Sequence, residues 1–580
     1  MLKYTIDIPN PHTHLVNISL EADIKSQGVE GDNFRFYMPS WSPGSYLMRE
    51  YARHIKEIKV EDSKGNRLFH KQVSKNEWEV QLDHPVFKSE VIKDDSKVLI
   101  QYSVYCHDLT VRTSHVDNTH AFLHGPSVFI AFENQQGPAQ IEIKINPLWT
   151  KVTTALKDVS PERTTFLYEA ENLDELMDSP FEIGCHETNG FMYKDKEHHV
   201  AFYGDFASQK DVFSGLMADM EKAVHETAKI FDEDLPYDHY YFITHLTPNG
   251  FGGLEHLDST VLQFCPFELA KEKGRKQFVE LVAHEYFHLW NVKRIRPKEL
   301  GPFDYKNENY TRMHWLTEGL TSFVDQLVTY RAGFYSPSEY MECMKKNINN
   351  FLSTPGRGYH SLEDSSFNAW VKLYRAGENF KNSSVSYYLK GGLVFFVLNV
   401  LMKEEGKGIN DLVRALWADY KQRPETGLTK DGFFKILSSL VSQKVCDEFK
   451  LLVEGVEEID FESHLKKMGV EVEWTTPKLD LGVNLSDEKG RINIKSVRQG
   501  SCGYKSGLNA GDEIIAINAL RVDKKIIDKL DEMYSENDQI DLLIARTGKL
   551  QTVTVTLGNG LRSIKELKVN DEELFKKYLS

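Results

Sequence analysis

The sequence predicts a multidomain α+β protein, with a β domain first, a mostly helical domain in the middle and a second β-rich domain near the end. Three observations predict it. Residues 1 to about 170 carry short alternating runs broken by turns, residues from about 275 to 455 carry apolar side chains at helical spacing, and the composition shifts again near residue 475. A length of 580 residues predicts three or four domains, and 41% hydrophobic with 12% aromatic residues is ample for large cores.

The amino-terminal run Met1 to Pro9 alternates like a strand, as do Phe34 to Met38, Val98 to Tyr105 and Gln140 to Ile145. These set a β domain over residues 1–172. From about 175 to 265 the pattern mixes, with a helix near Val212 to Phe231 and strands at Tyr240 to His245 and Val261 to Phe264. Amphipathic helices follow at Lys276 to Asn291, Met313 to Tyr330, Ser336 to Phe351, Val385 to Glu405, Ile409 to Tyr420 and Lys430 to Ser442, and a middle domain spans 173–470. Thr475-Thr476-Pro477 reads as a linker.

Beyond the linker, Leu481-Gly482-Val483, Ile492-Asn493-Ile494, the run Ser506 to Asn518 with its Gly-Leu and Gly-Asp-Glu-Ile-Ile pattern, and Val553-Thr554-Val555 resemble a PDZ domain over 476–560. In that family the loop matching Leu481, Gly482 and Val483 presents backbone N–H groups to a peptide carboxylate, so a peptide or protein C-terminus is the expected partner there. Residues 561–580 are expected to form a charged helical tail with Leu567, Leu574 and Phe575 turned inward. There is no internal repeat and no low-complexity tract.

A formal charge of −16, from 86 acidic and 70 basic side chains, argues against nucleic acid and against an anionic membrane surface. The longest apolar run, Leu393 to Met402, contains Asn399 and is about half the length needed to span a bilayer, so no membrane anchor is expected. Six scattered cysteines without a C-x-x-C pair read as reduced thiols. The amino terminus lacks the continuous apolar stretch of a secretory signal, and the expected location is cytoplasmic.

The chemistry is concentrated in Leu281-Val282-Ala283-His284-Glu285-Tyr286-Phe287-His288-Leu289-Trp290. On a helix, the four-residue spacing puts His284 and His288 on one face, where both imidazoles reach one metal ion. Glu285, about 100° further round, is placed as the general base for a water whose pKa zinc lowers. Chance also produces such strings, but Phe278, Leu281, Val282 and Leu289 mark a buried helix, where polar side chains need a partner such as a metal. One zinc ion per chain is expected.

Catalytic zinc takes a third protein ligand, and two glutamates compete. Glu308 sits in the polar stretch Asp304 to Asn309, a loop by composition. Glu318 sits in Trp315-Leu316-Thr317-Glu318-Gly319-Leu320, whose spacing describes a second buried helix, and is preferred because a ligand needs a rigid support.

These residues carry a family resemblance. Trp315 to Gly319 resembles the second zinc segment of the aminopeptidase N family, and Gly252-Gly253-Leu254-Glu255-His256 stands where that family has Gly-x-Met-Glu-Asn. A closer match is the glycyl aminopeptidase family of zinc metallopeptidases, with a β domain, a thermolysin-like catalytic domain and a PDZ domain. Pro39 to Arg49, Phe251 to His256, Asn291 to Pro297, Glu318 with Gly319, and Tyr388-Leu389-Lys390-Gly391 all resemble its motifs, in its order.

The resemblance implies that Glu255, with Gly252 and Gly253, binds the free amine of a peptide substrate, although Leu254 and His256 depart from the aminopeptidase N pattern. It implies that the Tyr388 phenol stabilises the oxyanion, with Tyr387 as the competing neighbour. The expected activity is removal of N-terminal residues, small ones such as glycine, from peptides. Two other readings stand beside it: a zinc endopeptidase with PDZ-assisted substrate capture, and a non-catalytic peptide-binding scaffold, against which the water-activating Glu285 speaks. Lys293, Arg294 and Arg296 read as a solvated or paired face.

Overall fold

Period-two patterning in the first strand does what it predicts: Leu2, Tyr4 and Ile6 are buried, and Lys3, Thr5 and Asp7 are not. The computed structural model describes residues 1–29, 31–87, 95–135, 137–162, 165–204 and 210–580. Its contacts divide the chain into two compact units, Met1–Tyr310 with Trp417–Leu428, and Thr311–Leu416 with Thr429–Ser580.

In the first unit, the largest sheet has seven strands in the order Lys157–Asp158, Phe166–Ala170, Ala139–Lys144, Leu2–Asp7, Leu15–Asp23, Lys97–Tyr105 and Ile55–Asp62. Leu2–Asp7 runs parallel to Ala139–Lys144 and antiparallel to Leu15–Asp23. Two four-stranded sheets complete this β region, and one continuous apolar core joins them. Its buried phenols are satisfied: Tyr4 donates to the Ile130 carbonyl and Tyr102 to the Val128 carbonyl, both at 2.8 Å. Phe181–Gly184 lies beyond the boundary expected at residue 172 and pairs with His120–Leu123.

A five-stranded sheet follows, in the order Glu187–Tyr193, Lys196–Tyr203, His239–Leu246, Ser259–Phe264 and Phe251–Glu255. Its three central strands are parallel, and Phe251–Glu255 closes one edge antiparallel to Ser259–Phe264. The helix Glu272–Phe287 buries Phe278, Leu281 and Val282, which the sequence spacing marks, and with them Val279, Ala283 and Tyr286. It ends four residues before the expected limit at Asn291, so His288 is its C-cap.

The second unit is built on helices. Trp315–Gly319 forms a π-helical turn that continues into the helix Leu320–Arg331. Pro337–Leu352 starts with a capping box between Ser336 and Glu339. Tyr387–Glu404 is apolar on nearly every side and buried. Asn399, which interrupts that run, is satisfied there: its amide donates to the Tyr578 carbonyl, and its oxygen accepts from the Ile409 N–H.

The PDZ-like sheet has Val483–Glu488 as one outermost strand. The segments entering and leaving it, Val470–Trp474 and Ile564–Val569, pair antiparallel. This corrects the expected helical tail, which is helical only over Glu572–Leu579: Ile564–Val569 gives its backbone bonds to the partner strand instead. All six cysteines are free. Among the described residues, no helix is long and apolar enough to cross a membrane.

Candidate metal and peptide site

In the first unit, the helix Glu272–Phe287 brings the His284 and His288 rings to 4.7 Å between centroids. His288 is 1% exposed and its Nδ1 stands 2.7 Å from the Asn291 carbonyl oxygen. A carbonyl only accepts, so Nδ1 carries the proton and Nε2 keeps its lone pair for a metal. The turn Asn291 supplies this orienting contact, which the sequence did not mark. The two imidazoles therefore fit a zinc ion in spacing, and His288 fits it in tautomer as well.

The edge strand Phe251–Glu255 passes directly over the helix. A Cβ on Gly253 would collide with the Glu285 carboxyl group, so a side chain at this position would displace that carboxyl. The Arg112 guanidinium donates to the Gly253 carbonyl at 3.3 Å and holds the strand in place. Glu255, buried at the strand's end, is approached by Gly44, whose Cβ would lie 2.5 Å from Oε1. Gly44 has φ +82°, which favours glycine, and a side chain there would also displace the Glu255 carboxyl group. Glu255, Glu285 and His288 offer ligand atoms within 4.8 Å of one another.

The remainder of the Pro39 to Arg49 motif packs. Trp41 is fully buried, donates from Nε1 to the Asp304 carbonyl at 2.8 Å and lies edge-on to Phe303. That packing holds the stretch containing Glu308, which lies in irregular chain, as expected.

Asp178 fixes the chain just beyond Glu255. It accepts from Lys293 Nζ at 2.7 Å, from His256 Nδ1 at 3.0 Å and from the Leu257 N–H at 2.7 Å. Burial pushes its pKa up, but the Lys293 charge and the His256 bond prevail and hold it at about 2. Arg294 donates to the carbonyls of Leu257, Leu289 and Pro236 and pairs with Asp258. Lys293 and Arg294 are thus paired within the fold.

In the second unit, Glu318 is 2% exposed inside the π-helical turn. Such turns recur at functional sites because the inserted residue changes which side chain faces inward. Two glycines bring the Tyr388 helix against it. A Cβ on Gly319 would stand 2.7 Å from Gly391 Cα, and one on Gly391 would stand 3.3 Å from the Trp315 carbonyl.

Tyr388 retains partial exposure and lies 3.3 Å from the Tyr374 hydroxyl. Burial, with the Glu318 charge adding to it, pushes the Tyr388 phenol well above its usual value, so it remains an O–H donor. Tyr387 is fully buried and stacked on His314. Burial lowers the His314 imidazole to about 3 despite Glu318, so it is neutral in ordinary buffers.

At the PDZ-like sheet, Leu481 is buried, Gly482 has φ +70° and Val483 begins the outermost strand. The Gly482 N–H donates to Asp480 Oδ1 at 2.8 Å, and Arg498 Nη2 donates to Asp480 Oδ2 at 2.9 Å. Asp480, Gly482, Val483 and Arg498 line a cavity of about 160 Å³.

Residues 277–394 match the family model described as M61 glycyl aminopeptidase, residues 3–185 match the peptidase M61 N-terminal domain, and residues 479–557 match a PDZ domain. The chain is similar to the crystal structure of an aminopeptidase N family protein from Idiomarina loihiensis. The identity is 28%, all of both chains is covered (100% each), and the TM-score is 0.90. It is also similar to an M1 zinc metallopeptidase from Deinococcus radiodurans, at 11% identity over 79% of this chain and 94% of that one, with a TM-score of 0.49. No curated protein matches the chain.

Proposed function

Because this chain belongs to the M61 glycyl aminopeptidase family and is a peptidase with a PDZ domain, we propose that it is a zinc aminopeptidase acting on the free amino end of peptides, with small residues such as glycine as the leading candidates. His284, His288 and Glu318 are the proposed ligands of one catalytic zinc. When bound, zinc supplies a Lewis acid that brings the pKa of water down to about 7. Glu285 takes the proton of the attacking water, and the Tyr388 O–H donates to the oxyanion as it forms. Glu255 accepts the substrate ammonium, over the bare backbone of Gly252 and Gly253.

The observation that carries this reading is the meeting of Glu255 with Glu285 and His288 within 4.8 Å. A buried carboxylate that close to the general base fixes a cation, and hence an amino terminus, beside the reacting carbonyl. Support for Glu318 comes from its burial in a helical turn and its nearness to Tyr388, which feels its charge. Val483–Glu488 is the proposed edge for a bound peptide.

The test is a panel of free and N-acetylated peptides with the parent, Glu255→Ala and Tyr388→Phe. Glu255→Ala is expected to lose most activity on free peptides and little on blocked ones, and Tyr388→Phe to keep zinc while kcat falls about 100-fold. Equal loss on both substrate classes would remove amine recognition and favour an endopeptidase.

A further inference from the structure

A second group of potential ligands lies on the hairpin formed by His115–Val116 and His120–Leu123, remote in sequence from the His284 motif. His115, Asp117 and His120 offer ligand atoms within 4.8 Å of one another. His115 Nε2 and Asp117 Oδ2 are 3.4 Å apart. That matches a tetrahedron edge of roughly 3.4 Å for zinc bonds of about 2.1 Å.

Each ligand is oriented from behind. His115 Nδ1 lies 2.5 Å from the His107 carbonyl oxygen, so it donates there and leaves Nε2 as the acceptor. His120 Nδ1 lies 2.7 Å from Glu182 Oε1, and its ring is stacked on Tyr203. Its Nε2 is buried and has no hydrogen-bond partner among the described residues. Asp117 Oδ1 accepts from the Thr119 N–H, the Thr119 hydroxyl and the His120 N–H, leaving Oδ2 to face His115.

A histidine whose far nitrogen is held by a carboxylate or a backbone carbonyl is the arrangement that metal-ligating imidazoles adopt. A buried imidazole nitrogen without a partner is costly, and a metal removes that cost. His115 and Asp117 remain partly open to solvent, at 13% and 33% of their side chains, so an ion can enter.

We propose that this hairpin binds a second divalent transition-metal ion through His115 Nε2, Asp117 Oδ2 and His120 Nε2. Two imidazoles and one carboxylate suit zinc, cobalt or nickel over magnesium or calcium. The ion is structural. Glu182, which holds His120, also accepts from His245 Nε2 at 2.8 Å on the strand His239–Leu246, so the ion ties the hairpin to the five-stranded sheet.

The test is zinc stoichiometry of the full-length protein after equilibration and desalting, measured by elemental analysis. The parent is expected to hold two equivalents, His288→Ala one, and His115→Ala with Asp117→Asn one. His288→Ala combined with that pair is expected to hold none. Zinc is expected to raise the melting temperature of His288→Ala, and melting in chelator verifies that each variant folds. A parent with one equivalent that His288→Ala abolishes would overturn this site while leaving the catalytic reading intact. So would an unchanged count in the His115→Ala, Asp117→Asn protein.

Discussion

Gly319 and Gly391 face each other with no room for a methyl group: a Cβ on Gly319 would lie 2.7 Å from Gly391 Cα and 3.1 Å from the Tyr387 carbonyl. The absence of both side chains lets the backbones of the Glu318 turn and the Tyr388 helix pack against each other here. Gly319→Ala is therefore expected to push these segments apart, at a stability cost of about 1 to 3 kcal/mol. Calorimetry reads the cost. Metal analysis reads the consequence, because a displaced Glu318 should bind zinc more weakly. An alanine variant with parental melting and zinc content would show that the contact is dispensable.

Gly253 makes a second prediction of the same kind, aimed at chemistry instead of packing. Its missing side chain is what admits the Glu285 carboxyl under the edge strand. Gly253→Ala forces that carboxylate out of position without touching His284, His288 or Glu318. Zinc content should be retained while kcat falls by about 100-fold, the lower end of what a positioned general base contributes. Loss of zinc together with activity would mean that the strand supports the helix, not the base.

Much of this was legible in the sequence, and the limits have physical causes. Helical spacing around His284 and around Glu318 marked two buried helices, because apolar periodicity is a local property. The helix Glu272–Phe287 stops before Asn291, and the turn that follows sets the Asn291 carbonyl oxygen 2.7 Å from His288 Nδ1, which no residue type announces. Gly44 belongs to the Pro39 to Arg49 motif, yet nothing in that motif tells that it approaches Glu255, over two hundred positions away. Lys390 was read only as part of a motif, and it is buried with its ammonium on the Gly455 carbonyl, its pKa lowered to about 8 by burial. Ile564–Val569 was read as helix because its pairing partner is nearly a hundred residues upstream.

Three groups of the first unit contribute to acid stability. Burial lowers the His198 imidazole from 6.5 to about 4. Burial alone would raise Glu182 and Asp178, but His120 and His245 hold Glu182 at about 2 instead of 4.5, and Lys293 with His256 hold Asp178 at about 2 instead of 3.8. In each case the unfolded chain binds its proton at higher pH than the folded one, so stability rises with pH. The loss on acidification comes in two windows, from 6.5 to about 4 for His198 and from 4.5 to about 2 for the carboxyls. Urea midpoints measured from pH 7 to pH 2 should show both. His198→Phe should shrink the upper window, to which the buried His314 also contributes, and leave the lower one; a variant that leaves the upper window unchanged would exclude His198 as a contributor.

Asp480 places a carboxylate of its own on the loop proposed to hold a peptide C-terminus. It accepts from the Gly482 N–H, one of the backbone donors proposed for the peptide carboxylate, and from the Arg498 guanidinium. An incoming peptide must displace it, and the exchange of one charge-assisted pair for another leaves little net gain. Asp480→Ala should free both donors and tighten binding of a peptide with a free C-terminus by about tenfold, the low end of a hydrogen bond to a charged group. The amidated peptide should gain nothing. Titration calorimetry with the full chain decides between the two outcomes: tighter binding makes Asp480 a competitor for the loop, and weaker binding makes it the side chain that holds the Gly482 turn in a binding-ready shape.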